Sequence, residues 1–241
     1  SAGDTRAGVG DADVVRGLRE RGLIRLVAFD LDGTLVDSRR DIADAVNDTL
    51  SALGHPQVAE DLAARWIGHG TRELLIQALA HVRNLSLDAV RQSADLPQVF
   101  AQFDRHYEQR TGTRSRPYPG ALDALLALKS QSRRLAVVTN KEGRHTDTVL
   151  RVHDLTHWFD IVISGDTLPT KKPDPAGVLQ CLQHFGVPRE HALFVGDSSI
   201  DAATARNAGI PVWLLPYGYN MGEPVSQCRP DRVIPDFSSL L

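Results

Sequence analysis

The chain has 241 residues, of which 42% are hydrophobic and 24% charged, and its formal net charge is −3. These values are typical of a globular protein with one large or two smaller domains, and they exclude disordered, collagen-like and fibrous classes. The charge provides no broad cationic surface, so we expect no nucleic-acid or membrane partner. Cys181 and Cys228 are too few for a disulfide framework, and no apolar stretch approaches the roughly 18 residues of a membrane helix. We therefore expect a cytoplasmic protein with reduced thiols.

The first part of the chain predicts a tail, a strand and a helical segment. Residues 1–22 form the tail, within which the pattern predicts a short helix over residues 13–21. The apolar residues 23–29 predict a buried strand that ends at the polar turn Asp30-Leu31-Asp32-Gly33. From residue 39 to residue 116 the apolar residues recur only at helical spacing. This segment is therefore predicted to be all helical.

Helices and strands alternate in the second half of the chain. Helices are predicted over residues 121–129, 146–152, 176–185 and 199–208, and strands over residues 135–138, 161–163, 192–195, 210–214 and around 233–234. Such alternation predicts a parallel sheet with both faces covered. We expect an α/β fold with a Rossmann-like parallel-sheet core, residues 23–38 and 117–241. A helical cap domain, residues 39–116, would be inserted after the first strand.

Reactive side chains follow several of these strands. They are Asp30 and Asp32 after the first strand, Thr139 and Asn140 after the second, Lys172 after the third, and Asp197 with Asp201 after the fourth. In an open parallel sheet, ligands bind outside the carboxyl ends of the strands. We therefore expect these side chains to form one site.

The residue types at these positions suit hydrolysis of a phosphate monoester. Asp30 is ionised at neutral pH and could attack phosphorus, which would give an aspartyl phosphate. Asp32 lies two residues further on, so it could protonate the leaving oxygen and later deprotonate water. Lys172 could neutralise a phosphoryl oxygen. The Thr139 hydroxyl and the Asn140 backbone N–H could hold others.

Asp30 and Asp197 also offer the hard oxygen ligands that Mg²⁺ prefers. Asp201, four residues after Asp197, could be a weaker ligand or could orient the others. A calcium-binding EF-hand loop is excluded because Gly33 stands at loop position four, whereas that motif needs glycine at position six.

Four segments in chain order resemble the signatures of the haloacid dehalogenase superfamily. They are FDLDGTLV at residues 29–36, VTNK at 138–141, KPDP at 172–175 and VGDSSID at 195–201. The resemblance places a cap between the first and second signatures and adds the backbone carbonyl of Asp32 to the metal ligands Asp30 and Asp197. Residues 66–70 and 217–220 resemble bacterial phosphoglycolate phosphatases. This implies an Mg²⁺-dependent hydrolase that converts 2-phosphoglycolate, a small phosphorylated metabolite, to glycolate and phosphate.

Arg72 is the candidate for substrate specificity in the helical segment. It stands at the start of a predicted helix, where a cation and free N–H groups would suit a carboxylate, although a solvated arginine remains an alternative. A broader sugar-phosphate or nucleotide phosphatase, a hexose phosphomutase and a non-catalytic phosphometabolite-binding protein also remain open. The helical segment contains no lysine, so the Schiff-base route of the superfamily's phosphonatases is not expected.

Overall fold

The structure, a computed structural model, describes residues 24–241, so the predicted tail and the helix over residues 13–21 lie outside the described residues. Its centre is a six-stranded parallel sheet formed by β1 (Leu26–Phe29), β4 (Arg134–Val138), β5 (Ile161–Ile163), β6 (Ala192–Gly196), β7 (Val212–Leu214) and β8 (Arg232–Val233). The strand order is β5-β4-β1-β6-β7-β8. β1 lies in the middle and pairs along its whole length with both β4 and β6. The residues that follow β1 therefore stand between the loops after β4 and β6.

Both faces of the sheet are covered because successive strand residues point to opposite sides. Val27 and Phe29 belong to one apolar core, whereas Leu26 and Ala28 belong to the other. The flanking helices are α6 (Ala121–Ser130), α7 (Gly143–Val152), α8 (Ala176–Phe185) and α9 (Ser199–Ala208). Short 3-10 helices follow at Thr156–Trp158, Arg189–His191, Val225–Cys228 and Phe237–Leu240. The predicted α/β class with a parallel sheet is confirmed.

The helical segment leaves and re-enters the sheet region through a short antiparallel pair, β2 (Val36–Asp37) and β3 (Arg116–Pro117). Between them lie α1 (Arg39–Ala52), α2 (Glu60–Ala64), α3 (Thr71–Arg83), α4 (Leu87–Arg91) and α5 (Leu96–Arg110). We call residues 38–115 the helical insert. The β2–β3 pair was not predicted because two-residue strands carry no readable periodicity.

Two further expectations concern the whole chain. Within residues 24–241, no helix is long and apolar enough to cross a membrane. Cys181 and Cys228 are free thiols, and both are buried.

Candidate active site

A cavity lies where the carboxyl ends of the strands meet the helical insert. The core contributes Asp30, Asp32, Thr139, Asn140, Lys141, Lys172, Asp197, Ser198, Ile200 and Tyr219, and the insert contributes Ile42, Ile67, Gly68, Gly70, Thr71 and Leu74. The structure thus brings six of the predicted site residues to one cavity. Asp201 is buried beside it, and Arg72 does not line it.

An acidic cluster surrounds one lysine at the base of this cavity. Asp30, Asp197 and Asp201 each offer an oxygen atom within 4.8 Å of the others. The Lys172 ammonium lies 3.0 Å from Asp30 Oδ1 and 2.7 Å from Asp201 Oδ1. Asp201 also accepts a hydrogen bond from the backbone N–H of Asp197, at 2.9 Å. Asp201 therefore positions both Lys172 and Asp197.

The cluster holds more negative charge than Lys172 can balance. Burial and then the charge of Asp201 raise the pKa of Asp30 to about 6. Burial and the charges of Asp30 and Asp201 raise the pKa of Asp197 well above its usual range. A hard divalent cation would remove this repulsion, and the donor set consists of the carboxylate oxygens that such a cation prefers. These residues therefore fit a Mg²⁺ ion.

Gly33 allows the first loop to approach this cluster closely. Its φ is +82°, and a Cβ at this position would lie 2.1 Å from Asp197 Oδ2. The neighbouring Thr34 hydroxyl donates to Asp197 Oδ1 at 3.0 Å, and the Tyr219 backbone N–H donates to Oδ2 at 2.6 Å. Both oxygens of Asp197 are thereby fixed in direction.

Asp32 is held by a residue at the start of the insert and by a lysine that sequence analysis missed. The Ser38 hydroxyl donates to Asp32 Oδ1 at 2.5 Å, and the Lys141 ammonium lies 3.2 Å from Oδ2. Lys141 also donates to the hydroxyl of Tyr107, on α5, at 2.5 Å. Burial opposes the charge of Lys141, but Asp32 and Tyr107 outweigh this and raise its pKa. The signal was available, because Lys141 is the last residue of the VTNK signature.

Thr139 and Asn140 bind the surrounding loops to one another. The Thr139 hydroxyl accepts a hydrogen bond from the Lys141 backbone N–H at 3.1 Å. The Asn140 amide donates to the carbonyls of Lys172, at 2.9 Å, and Gly68, at 3.1 Å. These bonds join the loop after β4 to the loop that carries Lys172 and to the insert. The assignment of Thr139 and Asn140 to phosphoryl oxygens stays a prediction.

Arg72 has partners within the protein that the sequence pattern did not show. Its guanidinium makes two hydrogen bonds of 2.8 Å to Asp104 and stacks over the Phe100 ring, 4.7 Å from the ring centroid. Asp104 also accepts from Arg144 at 3.2 Å and contacts His145 Nε2 at 2.7 Å. The sequence pattern could not show this partner, which stands 32 positions away on another helix. Through Asp104, Arg72 therefore connects α3 to α5 within the insert and to α7 of the core. Arg72 is not among the residues that line the cavity.

The Tyr219 hydroxyl makes hydrogen bonds at the start of the helical insert. Its hydroxyl accepts hydrogen bonds from the backbone N–H groups of Ser38 and Arg39, at 2.9 and 3.0 Å, and donates to Asp37 at 2.7 Å. It thereby satisfies N–H groups at the start of α1, which have no partner within the helix. Tyr219 connects the acidic cluster, through its backbone, to the beginning of the insert.

Comparison with known proteins identifies the family of this chain. The family model of haloacid dehalogenase-like hydrolases matches residues 27–215. The chain belongs to this family. The phosphoglycolate phosphatase of Aliivibrio fischeri is 40% identical over 220 residues, which cover 90% of this chain and 95% of that protein. The phosphoglycolate phosphatase of Vibrio cholerae is 39% identical over 218 residues, 90% of this chain and 96% of that protein.

A solved structure extends the likeness to three dimensions. The crystal structure of a predicted phosphoglycolate phosphatase from Haemophilus somnus has a TM-score of 0.84 at 36% identity, and the match covers 90% of this chain and 96% of that chain. The resemblance drawn from the four signatures is therefore confirmed. The chain is a haloacid dehalogenase-type phosphoric monoester hydrolase.

Proposed function

We propose that this hydrolase converts 2-phosphoglycolate to glycolate and phosphate through an aspartyl phosphate on Asp30, with Mg²⁺ as its cofactor. The observation that carries the mechanism is the position of Asp30 and Asp32 at one cavity, with Lys172 beside the first and Lys141 beside the second. A protein that only binds phosphate would gain nothing from this pair of carboxylates.

In the first step, a carboxylate oxygen of Asp30 attacks phosphorus as the bond to the ester oxygen breaks. The electron pair of that bond leaves with the ester oxygen, which takes a proton from Asp32. The Lys172 ammonium, 3.0 Å from Asp30 Oδ1, stands where it can balance charge on a phosphoryl oxygen. The Thr139 hydroxyl and the Asn140 backbone N–H are the proposed donors to the other oxygens.

In the second step, Asp32 takes a proton from water, and that water oxygen attacks the phosphorus of the aspartyl phosphate. The bond between phosphorus and the Asp30 oxygen breaks, so Asp30 returns as a carboxylate and phosphate leaves. Ser38 and Lys141 hold Asp32 in place between its two uses.

The proposed Mg²⁺ ligands are the carboxylates of Asp30 and Asp197 and the backbone carbonyl of Asp32. Asp201 would help to position these ligands. When bound, Mg²⁺ would neutralise the clustered carboxylates and the phosphoryl oxygens, so that an anionic nucleophile can approach an anionic substrate.

The helical insert is proposed to act as a cap over the reacting groups. It contributes Ile42, Ile67 and Leu74 to the cavity, and the Gly68 carbonyl accepts from Asn140 of the core. Covering the cavity with apolar side chains limits the access of water while the aspartyl phosphate forms.

The same lining favours a small substrate such as 2-phosphoglycolate. The insert side of the cavity is formed by isoleucine and leucine side chains, two glycines and Thr71. The hydroxyl groups of a hexose phosphate would find few partners there, and burying them without partners is unfavourable.

A phosphate-release assay over a panel of esters tests this proposal. We expect kcat/KM for 2-phosphoglycolate to exceed the values for glucose 6-phosphate and for nucleoside monophosphates by about 100-fold, since an apolar pocket disfavours an unmatched substrate hydroxyl by about this factor. Comparable values for a hexose phosphate would instead support the broader phosphatase. Conversion of a hexose phosphate to its isomer would support the mutase.

A further inference from the structure

The two groups that sequence analysis offered to a substrate carboxylate already have partners within the protein. Arg72 is bound by Asp104. The start of α3 is occupied by the carboxylate of Glu142, which accepts from the Thr71 backbone N–H at 3.0 Å, the Thr71 hydroxyl at 2.7 Å and the Arg72 backbone N–H at 3.3 Å. A substrate anion would have to displace a carboxylate of the chain from either position. Another group must therefore recognise it.

Among the described residues, the cavity is lined by two cationic side chains, Lys141 and Lys172. Lys172 lies between Asp30 and Asp201, on the side of the nucleophile. Lys141 lies beside Asp32 instead, 3.2 Å from its Oδ2. Since Asp32 must reach the ester oxygen, Lys141 stands on the side of the leaving group.

We propose that Lys141 is the specificity-determining residue that binds the carboxylate of the substrate; this inference rests on the proposed function. In 2-phosphoglycolate a single carbon joins the ester oxygen to the carboxylate, so a carboxylate at Lys141 keeps the ester oxygen within reach of Asp32. An ammonium has three donors. The Tyr107 hydroxyl and Asp32 accept two of them, which leaves one for a ligand.

The surroundings of Lys141 favour a charged carboxylate over a neutral group. It is 3% exposed, and its ammonium lies 4.5 Å from the centroid of the Tyr107 ring, so its position is fixed from the insert side. Ile42, Ile67 and Leu74 line the same cavity and lower the local dielectric. In such surroundings a carboxylate gains more from a cation than it would in water, and a neutral group of the same shape does not.

The test compares 2-phosphoglycolate with 2-phosphoglycolamide, which replaces the carboxylate by a neutral amide of nearly the same size. The readout is the ratio of the two kcat/KM values. For Lys141→Met we expect this ratio to fall by about 30-fold or more, the range of a charge-assisted hydrogen bond. Lys141→Arg keeps the charge and should retain most of the ratio. Arg72→Met, the matched removal of a cation outside the cavity, should leave the ratio unchanged.

Equal losses of kcat/KM on both substrates in Lys141→Met would overturn the inference, because Lys141 would then act only by holding Asp32. A ratio that falls in Arg72→Met but not in Lys141→Met would overturn it as well. If the methionine variant does not fold, Lys141→Gln keeps a hydrogen-bond donor without the charge and should lose the ratio to the same extent. The proposed function fails separately, if the wild-type enzyme does not prefer 2-phosphoglycolate over hexose phosphates and nucleoside monophosphates in the ester panel.

Discussion

The strand ends of the core and the contact between the core and the helical insert differ in how they are built. Asp30, Lys172 and Asp197 each follow a strand of one parallel sheet, so the fold brings them together wherever they stand in the chain. The contact with the insert depends on particular pairs, such as Glu142 with Thr71, which are 71 positions apart. In the proposed function the first region supplies the chemistry, and the second determines which molecules reach it. The residue pairs of the second region follow no general rule of topology.

The largest effect that would separate the two regions is expected for Asp30→Asn. The change preserves size but removes the proposed nucleophile, so kcat should fall by at least about 1000-fold while the thermal unfolding curve changes little. Phosphate release by the purified variant measures this. Asp154→Asn is the control, because this side chain is 97% exposed and should leave kcat unchanged. Residual turnover near the wild-type level would remove Asp30 from the chemistry.

Removal of the metal tests the acidic cluster as a whole. We expect exhaustive chelation with EDTA to reduce phosphate release at least about 100-fold, and added Mg²⁺ to restore it, because uncompensated carboxylates repel the substrate. Asp197→Asn should raise the Mg²⁺ concentration needed for half-maximal rate more than Asp201→Asn does. Full activity after chelation would contradict the proposed cofactor, and the opposite order of the variants would exchange the roles of the two aspartates.

A glycine pair tests how closely the first loop must approach Asp197. In Gly33→Ala the new Cβ would overlap Asp197 Oδ2, whereas in Gly54→Ala it would meet no atom within 4 Å, although φ is positive at both. We expect both variants to lose about 1–2 kcal/mol of unfolding free energy from the backbone conformation. Gly33→Ala alone should lose about 100-fold in kcat, because a displacement of about 1 Å at the reacting groups has this effect. Equal kcat values in the two variants would show that the close approach is unimportant.

The smallest effect is expected in the contact region, for Asp104→Asn. The variant weakens the bonds to Arg72, Arg144 and His145 and should lower the free energy of unfolding by about 2 kcal/mol. Asp44→Asn breaks the more exposed pair with Arg114 and should cost less than about 1 kcal/mol. Urea denaturation distinguishes them. Equal values would mean that the Asp104 cluster is no more than a surface pair.

The stability that Asp104 contributes should depend on pH. Burial would raise the pKa of Asp104, but the bonds from Arg72 and His145 outweigh it and lower the pKa below the ordinary 3.8. A carboxyl with a lowered pKa in the folded chain contributes stability above its unfolded pKa and loses it as the pH falls through the folded pKa. The difference in unfolding free energy between wild type and Asp104→Asn should therefore become smaller below about pH 4. A difference that grows there would contradict the lowered pKa of Asp104.

The sequence predicted the parts of the molecule that follow from local pattern. The buried run before Asp30 and the alternation after residue 117 defined the sheet, and the rule that ligands bind at strand ends located the cavity. The sequence offered Arg72 to a substrate carboxylate, because its position at a helix start says nothing of Asp104 on another helix. Lys141 was overlooked although it ends the VTNK signature, because its contacts with Asp32 and Tyr107 form only in the folded chain.

The proposed mechanism depends on a bond between Asp30 and phosphorus, which acid quenching during turnover can detect. The enzyme is mixed with excess 2-phosphoglycolate and Mg²⁺, quenched in acid within one turnover, digested and examined by mass spectrometry. We expect phosphate on the peptide that contains Asp30, and none on this peptide from the Asp30→Asn variant. Phosphate on another residue, or a phosphopeptide of equal yield from Asp30→Asn, would contradict it.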